Sequence, residues 1–288
     1  MSSTLKSQIQ QFYDVSSSLW EQVWGEHMHH GYYGSTGKEK KGRRQAQIDL
    51  IEELLNWIGV EQVEQILDVG CGIGGSSVYL GQKFGTRVKG VTLSPVQASR
   101  ATERAKEAGL GTQLHFEVAD ALDMPFASET FDFVWSLESG EHMPDKEKFL
   151  QECYRVLKPG GSFLMATWCH RPITPATGVL TADEQQHLME IYRVYCLPYV
   201  ISLPEYEVIA RNLGLQNIRT ADWSDAVEPF WELVIDSAFE PQAIMGLLQS
   251  SWKTVEAALS LGLMSRGYRR GLIRYGLLCG IKGLGLTH

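Results

Sequence analysis

The stretch Ile66-Leu67-Asp68-Val69-Gly70-Cys71-Gly72-Ile73-Gly74-Gly75 constrains this chain more than any other. A short apolar run ends in an acid, four glycines follow within six residues, and helical spacing takes over from Ser76 to Phe84. That order reads as strand, tight turn, helix. Glycines let the backbone come close to a ligand, and the helix start behind them presents unpaired N–H groups and a positive dipole end. A nucleotide-like cofactor belongs on such a turn. Asp68 narrows the choice, because a carboxylate is unwelcome beside a pyrophosphate, whereas a ligand carrying an amino group and a sulfonium suits an acidic turn.

Beyond the turn, strand and helix patterns alternate. Before it, Ile48, Ile51, Leu54, Leu55 and Ile58 give an amphipathic helix over 46–58, leading into a first strand at 65–69. Strands are predicted at 87–93, 114–118, 131–136 and 162–168, with helices between; Ser94-Pro95 opens one as N-cap and first helical residue. Lys158-Pro159-Gly160-Gly161 reads as the turn into the fifth strand. Alternation of this kind demands a parallel sheet covered on both faces. The regularity stops after Trp168. Residues 169–202 look like an insertion, 203–213 a helix, 215–221 a sixth strand, and 273–281 a last strand, antiparallel to its neighbours. Residues 228–264 read as one or two helices with Ile244, Leu247, Leu248, Trp252, Val255 and Leu259 on one stripe. Residues 4–24 are helical with a break at Ser16-Ser17-Ser18.

The glycine turn resembles motif I of the class I S-adenosylmethionine-dependent methyltransferases, and three more segments match that class in order: 119–126, 135–143 and 156–161. The resemblance implies a Rossmann-like seven-stranded α/β sheet with helices on both faces and S-adenosyl-L-methionine as cofactor. It divides the chain into an N-terminal helical lid (1–45), a cofactor-binding core (46–168), and an acceptor-binding part (169–288) whose last strands complete the same sheet. Ligands of doubly wound sheets lie at the C-terminal strand ends. Asp68, Gly70, Gly72, Gly74, Asp120, Ala121 and Ser136 are therefore cofactor candidates, with Asp120 reading the adenine edge. The second strand ends without the usual ribose-binding acid, and Thr92 and Gln97 stand in its place. Gln97 has a competing use, since Ser94-x-x-Gln97 is also a capping box.

The segments 24–32, 92–97, 138–143, 166–171, 220–224 and 266–272 look like the γ-tocopherol methyltransferase family of cyanobacteria and plants. This likeness implies methylation of the chromanol ring of γ- and δ-tocopherol at a carbon beside the phenol. Relatives of the same shape methylate nitrogen on indole alkaloids, and another quinol is a further alternative. Such a ring carbon is a weak nucleophile until the phenol shares or loses its proton, so a general base is required. His142 is the candidate, with Glu138 or Glu141 to orient it; a structural histidine near the helix start at Pro144-Asp145 is the plain alternative. His27, His29, His30 and Tyr33 compete for the role from the lid. His30, Tyr33, Trp168, Tyr199 and Trp231 are the named acceptor wall, with Tyr195, Trp223 and Phe230 as further candidates.

Composition excludes several classes. A formal net charge of −8 over 288 residues argues against a nucleic-acid partner. Five cysteines at 71, 153, 169, 196 and 279 form no C-x-x-C pair, which points to reduced thiols and no zinc site. Three histidines within 27–30 lack the carboxylates of a metal shell. No apolar run reaches the roughly 20 residues of a membrane span, and no leader precedes the domain, so a cytoplasmic protein is expected. Arg266, Arg269, Arg270 and Arg274 leave open a peripheral contact with anionic lipid. A non-catalytic binder or a nicotinamide enzyme is the remaining rival; the intact turn and Asp120 argue against the first, and the acidic turn against the second.

Overall fold

A computed structural model describes residues 3–238 and 252–284. Its centre is a seven-stranded sheet in the order β3-β2-β1-β4-β5-β7-β6. The strands are β1 (Gln65–Val69), β2 (Arg87–Thr92), β3 (Leu114–Val118), β4 (Phe131–Leu137), β5 (Leu157–His170), β6 (Leu215–Asp222) and β7 (Ile273–Lys282). β7 alone runs antiparallel, between β5 and β6, and the other pairings are parallel. The chain order reverses between β1 and β4, so the crevice above their C-terminal ends is the place for a ligand.

Helices α1 (Ser3–Trp24), α2 (Arg43–Ile58), α3 (Gly75–Phe84), α4 (Pro95–Glu107) and α5 (Lys146–Val156) are followed by α6 (Ala182–Val194) and α7 (Leu203–Asn212). The short α8 (Ser224–Val227), α9 (Pro229–Ala238) and α10 (Trp252–Arg269) come before the last strand. The strand pleat sends alternate side chains to two apolar layers. Ile66, Phe133, Trp135 and Leu164 pack on one face with Leu50, Leu54 and Val78, while Leu67, Val134, Phe163 and Met165 pack on the other with Phe149, Cys153 and Tyr206. Local signals set the helix ends: Ser94 Oγ accepts from the Gln97 N–H with Pro95 following, and Gly59 closes α2 at φ 76°.

The structure departs from the sequence reading in particular places. α1 runs unbroken through its serines because Ser17 Oγ donates to the Tyr13 carbonyl one turn back, at 2.6 Å, which satisfies the hydroxyl inside the helix. Lys158–Gly161 is an outward bulge within β5, with Phe131 opposite Leu157 and Phe133 already opposite Ser162. Phe131 and Phe133, two apart in β4, fall in different layers. β5 also continues two residues past 168, taking its tip beyond the expected domain boundary. Ile244, Leu247 and Leu248 lie outside the described residues, and Trp252, Val255 and Leu259 fall in α10. α10 buries Leu261, Met264, Ser265 and Tyr268 at helical spacing.

Candidate active site

A cavity of about 340 Å³ opens above the ends of β1, β2, β3, β4 and β5. Asp68, Gly70, Gly72, Thr92, Gln97, Asp120 and Ala121 line it at the end nearer β2 and β3. Gly70 and Gly72 have φ 82° and 51°, the left-handed region that favours glycine. A side chain on Gly72 would meet no protein atom and would fill part of the cavity it lines. Gly74 does not line the cavity; a Cβ there would stand 2.8 Å from Ala101 Cβ, so this glycine lets α3 pack against α4. Gly75 lines it instead, touching the Glu26 carbonyl where the chain leaves α1.

Asp68 is buried, and burial raises its pKa to about 7 although Ser77 Oγ donates to it at 2.6 Å. The carboxyl also lines the cavity, where a cationic or N–H donor of a ligand would meet it. Thr92 donates to Gln97 Oε1 at 2.7 Å, and Gln97 Nε2 donates one hydrogen to Ser17 Oγ at 3.2 Å, so the amide does not return to its own cap and keeps a second N–H at the cavity. Asp120 accepts from Leu122 N and from Lys6, each at 3.0 Å. Ser136 does not line the cavity. It bonds Ser139 Oγ at 2.7 Å, which in turn donates to the Val69 carbonyl, and the pair braces β4 against β1.

The aromatic end of the cavity is built by the loop after α1, the tip of β5, the end of α6 and α9. Trp168, Tyr195, Phe230 and Trp231 form its wall, with His30, Glu138, Glu141 and His142 among them. Tyr33 and Tyr199 are absent from that wall. Tyr33 is buried between α2 and α8, its N–H donating to the Ala226 carbonyl, and Tyr199 sits outside beneath the Lys146 ammonium. Trp223 packs tilted against Tyr32 and edge-on against Trp57, away from the cavity.

The orienting carboxylates also lie elsewhere than expected. Glu138 has left β4 at φ 51° and binds His30: Oε2 accepts from Nδ1 and Oε1 from the backbone N–H, each at 2.8 Å, while Tyr275 donates to Oε1 at 2.9 Å. Burial pushes the Glu138 pKa up, but the charge and hydrogen bonds of His30, with the charge of His29, outweigh it and hold the group below the usual range. Glu141 accepts from Thr167 Oγ1 at 2.7 Å, and burial with the nearby Glu138 charge raises it to about 7. Neither reaches His142, whose Nε2 meets the Tyr13 hydroxyl at 2.5 Å and whose pKa burial lowers to about 3. Burial likewise lowers His27 to about 2 and His29 to about 4. Among the described residues no group of three His, Cys, Asp or Glu has the arrangement of a metal site.

α1 lies across the cavity mouth, tied to the core by polar contacts. Lys6 pairs with Asp120, Ser94 Oγ donates to Asp14 at 2.5 Å, and Glu21 holds both Arg100 and Arg104. Tyr13, which reaches His142 from this helix, was missed by sequence reading, since a lone tyrosine on an amphipathic helix looks like packing.

A glycine-lined, acid-bearing cleft at the switch point of this sheet, continuous with an aromatic pocket, defines an S-adenosylmethionine-dependent methyltransferase. The residues present fit that cofactor: Asp68 and Asp120 offer carboxylates, and the open face of Gly72 offers room. Residues 67–165 match the methyltransferase-domain family. The chain is 46% identical over 280 residues to a probable chloroplastic tocopherol O-methyltransferase of Oryza sativa subsp. japonica, covering 95% of this chain and 77% of that protein. It is 44% identical over 283 residues to the chloroplastic tocopherol O-methyltransferase of Arabidopsis thaliana, covering 95% and 81%. A norajmaline N-methyltransferase of Rauvolfia serpentina is 32% identical over 276 residues, covering 93% and 94%. The fold matches the crystal structure of a geranyl diphosphate C-methyltransferase from Streptomyces coelicolor A3(2), with TM-score 0.77, 22% identity and 98% of each chain covered. The chain belongs to the tocopherol methyltransferase family.

Proposed function

We propose that this enzyme methylates the ring carbon beside the phenol of γ- and δ-tocopherol, giving α- and β-tocopherol. The observation that carries the proposal is the apolar, aromatic-walled end of the cavity, where Trp168, Phe230 and Trp231 surround one imidazole–carboxylate pair. A flat phenolic ring suits that wall, and a histidine suits its proton. The relatives named for tocopherol support the choice of acceptor. When bound, the cofactor supplies an electrophilic methyl group on a cationic sulfur.

The rest of the work falls to the protein. Asp68 and Asp120 hold the cofactor at the glycine turn. Tyr13 and the loop after α1 cover the cavity and exclude water, which favours a displacement that disperses charge. Gly72 leaves the turn open to the cofactor, while Gly70 and Gly75 admit Ser139 and the Glu26 carbonyl. Trp168 and Trp231 align the ring, and alignment is itself worth orders of magnitude in rate.

The acceptor carries a long apolar tail, so the proposal includes a cytoplasmic enzyme working against a membrane surface. No helix among the described residues is long and apolar enough to cross a membrane. Two of the four arginines in the basic cluster are engaged, Arg270 with Asp183 and Arg274 with Asp222. Liposome flotation with and without Arg266 and Arg269 tests the contact; equal flotation of both removes those arginines from it.

The test of function is turnover on a panel of γ-tocopherol, δ-tocopherol, a phytylated hydroquinone and an indole-alkaloid amine. The proposal predicts the highest kcat/KM for the tocopherols. Preference for the amine refutes it, and preference for the hydroquinone narrows it to quinols.

A further inference from the structure

The hydrogen positions that the polar contacts require separate the two candidate bases. Two fixed donors, the His30 N–H and the Tyr275 O–H, meet Glu138 Oε1, and the group is held below the usual carboxylate range, so Glu138 is an ionised acceptor. Nδ1 of His30 must then carry a hydrogen, and in the neutral ring Nε2 keeps its lone pair. That atom is buried, has no hydrogen-bond partner among the described residues, and belongs to a ring that lines the cavity. Phe230, Tyr268 and Tyr275 tilt against the ring, and Trp168 and Trp231 meet it edge-on, so its orientation is fixed. Glu138 takes up its position from a left-handed backbone, a conformation uncommon for a non-glycine residue and shared here with Glu129, Cys196 and Asn217.

His142 has the opposite inventory. Burial keeps the Tyr13 hydroxyl protonated, so it donates to Nε2, and Nδ1 carries the hydrogen and lacks a partner. The reverse assignment would strand both a hydroxyl hydrogen and a ring lone pair. His142 therefore offers an N–H donor, while His30 offers an acceptor.

We propose that His30, held by Glu138 and Tyr275, is the general base that takes the phenol proton, and that His142 serves as a hydrogen-bond donor. The inference rests on the phenolic reading of the acceptor. The O–H bond breaks with its electron pair staying on oxygen, and an N–H bond forms at Nε2, giving an imidazolium that faces the Glu138 carboxylate. After transfer, the ring carbon bears both the new methyl and its original hydrogen. Once the cover opens, the imidazolium returns its proton to the oxygen as that ring hydrogen leaves as a proton to bulk water, which restores the phenol and the neutral histidine.

The experiment compares the full-length protein with His30→Asn, Glu138→Gln and His142→Asn. It reads kcat on γ-tocopherol, calorimetric affinity for S-adenosylhomocysteine, and ¹⁵N shifts of the labelled imidazoles. Losing general-base catalysis lowers kcat by about 10²–10⁴-fold, so His30→Asn should fall in that range with cofactor affinity near wild type. Glu138→Gln should lose less and should erode the Nδ1–H tautomer of His30, while His142→Asn should lose less than His30→Asn. Wild-type turnover of tocopherol with His30→Asn retaining most of it, or a wild-type His30 protonated on Nε2, overturns the assignment and leaves the function standing. Turnover of the amine alone overturns both.

Discussion

Replacing Asp68 by Asn trades stability against cofactor binding, and both halves can be worked out. The folded protein holds this carboxyl at about 7, against about 3.9 in an unfolded chain. Between those values the native state binds more protons than the unfolded state, so this group's contribution to stability falls as pH rises through the window and levels off above it. At about 1.36 kcal/mol per unit, the penalty near pH 8 reaches a ceiling of about 4 kcal/mol. Asn keeps the acceptor for Ser77 and removes the charge, so the apoprotein should gain stability at pH 8 and little near pH 4. Affinity for S-adenosylmethionine should move the other way. If binding needs the ionised carboxylate, its population rises from roughly 3% near pH 5.5 to roughly half near pH 7, an affinity gain of about 15-fold. Calorimetry across that range, in buffers of different ionisation enthalpy, measures the affinity and the proton released. A wild-type affinity that is flat with pH, or an equal slope in Asp68→Asn, refutes the reasoning, with Glu141→Gln as the control for the cavity's other raised carboxyl.

Three further outcomes follow from particular contacts. Tyr13→Phe removes the bond from α1 to His142, and losing one such bond should weaken cofactor binding about two- to tenfold, read as KM; an unchanged KM means that the contact does not hold the lid. Gly74→Ala places a Cβ against Ala101 at φ 83°, and strain of this kind should cost about 1–3 kcal/mol in urea unfolding. Lys146 is buried and donates to the Gly140 and Glu141 carbonyls; Gly140 keeps the Met143 N–H and the Tyr206 hydroxyl, so Lys146→Ala should cost roughly 1–3 kcal/mol by leaving the Glu141 carbonyl unpaired. Burial lowers Lys146 to about 7 in the fold, against about 10.4 unfolded. The unfolded state therefore holds more protons between those values, this group's contribution rises with pH across them, and the variant should lose that rise in thermal unfolding.

The sheet was legible because its signals are local. Ile66–Val69 before the glycine turn, Ser94-Pro95 at the start of α4 and the alternation up to Trp168 each carry their own reason. The bulge at Lys158–Gly161 and the continuity of α1 were hidden because they depend on which strand lies opposite and which carbonyl Ser17 finds. Gly70, Gly72 and Gly75 also satisfy dinucleotide spacing, so the acid at 68, rather than the glycines, separates the two cofactors. At the site, which residues line the glycine-turn end of the cavity was mostly readable, since strand tips place residues by position. The partner of Glu138 was not: sequence proximity favours His142, four residues on, but a left-handed turn after β4 aims the carboxylate at His30, 108 residues earlier. Tyr33, Tyr199 and Trp223 show the same limit, because an aromatic residue fills a core as readily as it lines a pocket.

The account's central claim is that strand tips and an aromatic wall bring a sulfonium donor to a ring carbon activated through its phenol. Its most direct test is a single turnover of γ-tocopherol with S-adenosylmethionine labelled with ¹³C in the methyl group, followed by carbon NMR of the product. The account predicts that the label appears as an aryl methyl beside a free phenol. A label found as a methoxy carbon, or on no phenolic product at all, contradicts it.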